Sequence, residues 1–162
     1  MSNDNYRSFC QIRRAEYDDI ENIMLITREA FGRYREMTGA KKVDALCETK
    51  ENIKNDIDNK LVFVSLYDGE TVGCVRVEIL PDKTACLTRF AVKLSCQNNG
   101  IGKSMMNLID KIMIREGVKK IYLYTASKAA PLIRFYYGRG FYVESTDTSR
   151  GYIRAKLVKD YE

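Results

Sequence analysis

The stretch Gln97-Asn98-Asn99-Gly100-Ile101-Gly102-Lys103-Ser104 lies between an apolar, strand-like run, Leu87 to Val92, and a run with helical apolar spacing. Glycines at 100 and 102 permit positive φ and close approach. A helix starting there aims unpaired N–H groups and the positive end of its dipole at whatever lies in front. The segment reads as an anion site with phosphate as its natural occupant. Two common glycine patterns fail on it. A P-loop needs glycine where Gln97 stands, and a dinucleotide fingerprint needs a third glycine where Met105 stands.

What remains, Gln-x-x-Gly-x-Gly after a strand and before a helix, resembles the acyl-CoA pyrophosphate loop of the GNAT superfamily of N-acetyltransferases. Phe135-Tyr136-Tyr137-Gly138-Arg139-Gly140-Phe141 resembles the later helix-to-strand junction of the same family. The two motifs stand in the family's order, with room between them for one helix and one strand.

The resemblance implies an α/β fold, a mixed and mostly antiparallel sheet ordered β-α-α-β-β-β-α-β-α-β-β, in which two parallel strands, 84–92 and 120–125, splay apart. It implies acetyl-CoA as co-substrate. Pantetheine amides would bond the main chain of Phe90, Ala91 and Val92, and a main-chain N–H around Val92 would polarise the thioester carbonyl. Gln97, Asn98, Asn99, Gly100, Ile101, Gly102, Lys103 and Ser104 would hold the pyrophosphate. Arg139 would add charge, as Lys103, Arg134, Lys93 or Lys128 also can.

Tyr136 matches the family's general acid, which donates a proton to the departing thiolate. Two departures stand out. Cys86 occupies the place where some members carry a glutamate, which leaves the base open with Glu78 on the preceding strand as candidate. Ala129 replaces an asparagine that often binds the cofactor.

Length and composition frame this reading. At 162 residues, 45% hydrophobic and 30% charged, the chain is expected to be one domain, 1–162. No apolar run approaches a membrane span. Met1 to Asn5 has neither a basic nor an apolar leader character, so a cytoplasmic location is expected. Five cysteines without a Cys-x-x-Cys pair, and no histidine, argue for reduced thiols and against structural zinc; no metal is expected. The missing histidine also excludes an ordinary hydrolase triad, so any chemistry must run on carboxylates, tyrosines, backbone dipoles or water.

Charge is uneven along the chain. Residues 1–85 hold 13 Lys/Arg against 16 Asp/Glu, and residues 86–162 hold 14 against 6. The phosphate loop falls in the basic half, and the acidic half suits a cationic amine. A nucleic-acid-binding role rests only on that basic half, without a matching module, and is not expected.

Along the chain, Phe9 to Arg14 alternates as a strand. Asp18-Asp19 begins a helix whose inner stripe runs from Ile20 to Phe31, ending at Gly32. Tyr34 to about Asp58 holds one or two helices. Leu61–Tyr67 and Thr71–Leu80 form a hairpin at Asp68-Gly69, and Thr84–Val92 follows. Ile101–Glu116 is a helix burying Ile101, Met105, Leu108, Ile109, Ile112 and Met113. Lys120–Thr125 is a strand, Leu132–Gly138 a short helix, and 141–145 with 152–158 a closing hairpin.

The expected function is transfer of an acetyl group to a primary amine, on a small molecule or a peptide, by direct attack in a ternary complex. A noncatalytic acyl-CoA sensor is the alternative. A homodimer through the closing hairpin is expected by analogy alone, and no membrane partner is.

Overall fold

The computed structural model describes residues 10–161. The strand expected from Phe9 therefore begins, as described, at Cys10. Among the described residues seven strands form one sheet: β1 Cys10–Arg14, β2 Leu61–Tyr67, β3 Glu70–Ile79, β4 Thr84–Val92, β5 Lys120–Ala126, β6 Tyr142–Asp147 and β7 Arg154–Asp160, in spatial order β1-β2-β3-β4-β5-β7-β6. Four helices join them: α1 Ile20–Thr38, α2 Lys50–Asn59, α3 Ile101–Arg115 and α4 Ala130–Tyr137. The element order matches the expectation, and β4–β5 is the parallel pair in an otherwise antiparallel sheet.

Strand alternation sends neighbouring residues to opposite faces, and each face has its own apolar core. Val62, Val64, Cys74 and Ala91 pack with Ile23, Met24, Ile26 and Ile53 of α1 and α2. Phe63, Val75, Val77 and Leu87 pack on the other face against α3 and against Tyr136 of α4. In α3 the buried side chains are Ile101, Met105, Met106, Ile109 and Met113. Leu108 and Ile112, expected inside, only flank that core, and Met106 takes the deeper place.

Gly32 does not end α1. The helix continues to Thr38, and Gly39, at φ +68°, supplies the left-handed cap. An interior glycine lowers helix propensity by about 1 kcal/mol. Past Gly32 the helix is anchored to the sheet by Tyr34, whose hydroxyl accepts the Ala126 N–H at 2.7 Å, and such a tertiary contact overrides the local cost. Asp18-Asp19 form a single 3-10 turn before α1, with Asp19 bound to Arg13 at 2.8 and 3.0 Å.

Two irregularities of β4 create the site. Its parallel ladder with β5 covers only Thr84, Ala85 and Cys86, against Lys120, Ile121 and Tyr122. Beyond those pairs, Leu87–Val92 and Leu123–Ala126 diverge. On the β3 side, Cys74 pairs with Ala91 but Arg76 with Thr88, so Arg89 and Phe90 bulge opposite Val75. Arg89 sits at φ +52°, left-handed backbone in a residue that is not glycine.

Candidate active site

The loop after β4 is a main-chain cradle. Asn98 at φ +66° and Gly100 at φ +79° turn the chain twice through the left-handed region. The first helical bond of α3 is Ser104 N–H to Gly100 O, 3.0 Å. The six preceding N–H groups, Asn98 to Lys103, have no acceptor among the described residues. Six consecutive donors beside a helix N-terminus form an anion-binding concavity. The loop is braced from behind: Gln97 Nε2 donates to Val92 O at 3.3 Å, and Leu94 N–H to Glu29 Oε1 at 2.7 Å.

The second glycine is explained by space rather than by dihedral angle. A Cβ on Gly102 would lie 3.3 Å from Phe135 Cζ and 3.4 Å from Phe90 Cε1. The absence of a side chain lets the start of α3 seat against α4 and β4. The same aromatics frame Tyr136, whose ring lies 5.2 Å from Phe135, 5.4 Å from Phe141 and 6.3 Å from Phe90, all near edge-on. Burial, and secondarily the phenol of Tyr34, push the Tyr136 pKa far above the usual tyrosine value.

Tyr34 is the unexpected neighbour. Projecting from α1, its hydroxyl accepts the N–H of Ala126 at 2.7 Å, on the β5 edge that faces the gap. A splayed edge leaves orphan donors, and α1 caps this one. In the same strand Thr125 Oγ1 is buried and has no partner among the described residues.

An ionic cluster fastens the segment before α2 to the bulge. Arg76, fully buried, donates to both carboxylate oxygens of Glu48 at 2.6 Å and to Asp56 at 2.8 Å, and Arg89 Nε reaches Glu48 at 3.2 Å. Burial alone would lower the Arg76 pKa, but the two carboxylates outweigh it and keep the guanidinium charged. None of Tyr34, Glu48, Arg76 and Arg89 carries a motif in sequence. Only Arg76, a charge inside the apolar run Thr71–Leu80, signalled a buried partner.

The expected site residues divide. Phe90, Ala91 and Val92 lie on the stretch of β4 that has no β5 partner, Asn98 to Lys103 supply the free N–H groups while those of Gln97 and Ser104 are spent on Leu94 O and Gly100 O, and Tyr136 joins them through Phe90. Glu78 is not brought to the gap. It pairs with Cys86, where the β4–β5 ladder is still closed, and its exposed carboxylate lies 3.9 Å from Lys60. Arg139 lies in the turn after α4, where its carbonyl accepts Lys159 Nζ at 2.6 Å. That lysine also binds Asp110, about 12 Å along α3 from Gly102.

Burial, first among its causes, raises the Cys86 thiol, and it pushes Cys74 up to about 11. Neither is an activated nucleophile. Among the described residues no cluster of His, Cys, Asp and Glu is arranged to hold a metal, and no helix is long and apolar enough to cross a membrane.

The model of the acetyltransferase (GNAT) family matches residues 22–141. A spermidine N(1)-acetyltransferase from Thermoplasma acidophilum is 26% identical over 149 residues, spanning 86% of this chain and 92% of that protein. Among solved structures, the PaiA N-acetyltransferase of Thermoplasma acidophilum in complex with coenzyme A superposes with a TM-score of 0.83 at 24% identity, covering 94% of this chain and 99% of that one. The ribosomal-protein-S18-alanine N-acetyltransferase of Escherichia coli has the same fold, with a TM-score of 0.75, 15% identity and 93% of each chain covered.

Proposed function

The chain belongs to the GNAT acetyltransferase family and is an acyl-CoA-dependent N-acetyltransferase, and from that premise we propose that it moves the acetyl group of acetyl-CoA directly onto a primary amine in a ternary complex. The carrying observation is the run of six unbonded main-chain N–H groups, Asn98 to Lys103, opening beside an unpaired strand edge. The residues fit the co-substrate. The cradle suits the pyrophosphate, and the exposed Lys103 side chain adds positive charge beside it, whereas half-buried Arg139 lies on the Lys159–Asp110 side of α3. The free edge around Phe90, Ala91 and Val92 suits the pantetheine amides. Acetyl-CoA supplies an activated thioester.

The protein's own groups do the rest. A main-chain N–H near Val92 is aimed to polarise the acyl carbonyl. Tyr136, its pKa raised by burial, keeps its proton throughout the neutral range. Its task is to donate a hydrogen bond to the departing sulfur rather than to surrender the proton outright. Direct attack is favoured because the Cys74 and Cys86 thiols are raised by burial and the chain has no histidine to activate a cysteine.

The amine is the harder problem. A lysine-like amine at pH 7 lies about 3.4 units below its pKa, which costs about 4.6 kcal/mol. Glu78 stands apart from the gap, so loss of that proton to water entering the site is the supported route.

Free thiol release from acetyl-CoA with a panel of polyamines, aminoglycosides, amino acids and peptides tests the reading. Turnover with one amine class, falling in Tyr136→Phe, supports it. Acetyl-CoA binding without thiol release for any amine refutes it and leaves an acyl-CoA sensor.

A further inference from the structure

We infer that the amine acetylated here carries a carboxylate, and that Arg89 is the specificity-determining residue that holds it; the inference rests on the acetyl-transfer reading above. Arg89 is the left-handed residue of the β4 bulge, within the stretch that has no β5 partner. A non-glycine residue stays in that region only where its surroundings enforce it. Here the bulge opposite Val75 imposes that backbone, and the Glu48 carboxylate, itself locked by buried Arg76, holds the side chain.

Glu48 takes only the Arg89 Nε. The two terminal nitrogens have no acceptor among the described residues, and the side chain is 26% exposed. A guanidinium gripped at Nε and open at its fork is preset for bidentate capture of a carboxylate.

The charges around this end are spent in a direction that favours an anionic group. Asp44 is paired with Arg150 at 3.3 Å, Asp147 with Arg154 at 3.1 Å, and Asp56 with Arg76 at 2.8 Å. Glu48 is held by two arginines. A polyamine needs unpaired carboxylates along its length, and each of these is already neutralised. A carboxylate meets the open fork of Arg89. Two aromatic side chains stand on the β5 side of the gap: Tyr34, bound to the Ala126 N–H at 2.7 Å, and Tyr124, with Arg154 stacked 4.1 Å above its ring. The acceptor class that fits is an amino acid or a similarly small amino-carboxylate.

The test uses the full chain with acetyl-CoA and follows free thiol for amino acids, for their amides and methyl esters, and for spermidine and putrescine. The free acids are expected to exceed their own amides by about 10- to 100-fold in kcat/KM, the range of a charge-assisted contact. Arg89→Gln should bring that ratio to about one while the KM for acetyl-CoA stays within about threefold, and Arg89→Lys should keep part of the preference. If Arg89→Gln does not fold, the acid-to-amide ratio of the unmodified protein decides alone. Equal rates for acid and amide, or a polyamine outrunning both, overturns the inference and leaves acetyl transfer standing. No thiol release with any amine overturns the acetyl-transfer reading, and this inference with it.

Discussion

Two parts of the site are built from different materials. The cradle at 98–103 is main chain: its donors are peptide N–H groups, and its side chains matter mainly where there is none, at Gly102 against Phe135. The other part is side chain: Tyr34 from α1, Glu48 from the segment before α2, Arg76 and Arg89 from β3 and β4. A main-chain site tolerates sequence change so long as the backbone path survives. A side-chain site depends on each partner, since removing one leaves another buried and unpaired.

The largest expected effect strikes the side-chain part. Arg76→Ala strands Glu48 and Asp56 beside a buried hole and should cost about 3–5 kcal/mol, read from urea unfolding. If the two parts are independent, the folded fraction still binds acetyl-CoA with unchanged affinity by calorimetry. A loss of both would break the contrast.

Next comes the chemistry between them. On the role proposed for Tyr136, the Tyr136→Phe variant loses one hydrogen bond to the leaving sulfur and should lower kcat about 10- to 100-fold with little change in either KM. Because burial raises its pKa, the phenol stays protonated through the assay range. The unmodified protein's kcat should climb as the amine deprotonates, with no fall from Tyr136 below about pH 10. The same shift stabilises the fold below a tyrosine's ordinary pKa, and that contribution fades as pH rises above it.

The cradle itself gives a sharper and smaller test. Gly102→Ala pushes a methyl against Phe135 at 3.3 Å and should weaken acetyl-CoA about tenfold, whereas Lys103→Ala should cost no more than about threefold. A reversal of that order would mean that side-chain charge, and not the backbone, holds the pyrophosphate. Smallest is Glu78→Gln. With its carboxylate exposed and outside the gap, it should leave kcat within about twofold, and a tenfold loss would restore it as the base.

Legibility follows the same divide. Gln97 to Ser104 was readable because a loop that presents bare N–H groups must place glycines at fixed offsets from a strand and a helix, and Phe135 to Phe141 through its resemblance to the family's helix-to-strand junction. The hairpin at Asp68-Gly69 was readable for a similar reason, with both residues at positive φ. Gly32 misled because a glycine's local cost says nothing of the tertiary contacts that override it. Tyr34 was silent, since its hydroxyl matters only through Ala126, 92 residues away.

The sequence by itself determined the order of elements, the glycine turn between β4 and α3 and the family, because these rest on periodicity, turn chemistry and contacts between near neighbours along the chain. Only the tertiary structure decided where β4 and β5 part, which tyrosine caps the exposed edge, and that Glu48 holds Arg89 at the bulge. Those depend on distant segments converging, and the free energy of a buried charge or an orphaned N–H is set by what folds against it, which no local pattern encodes.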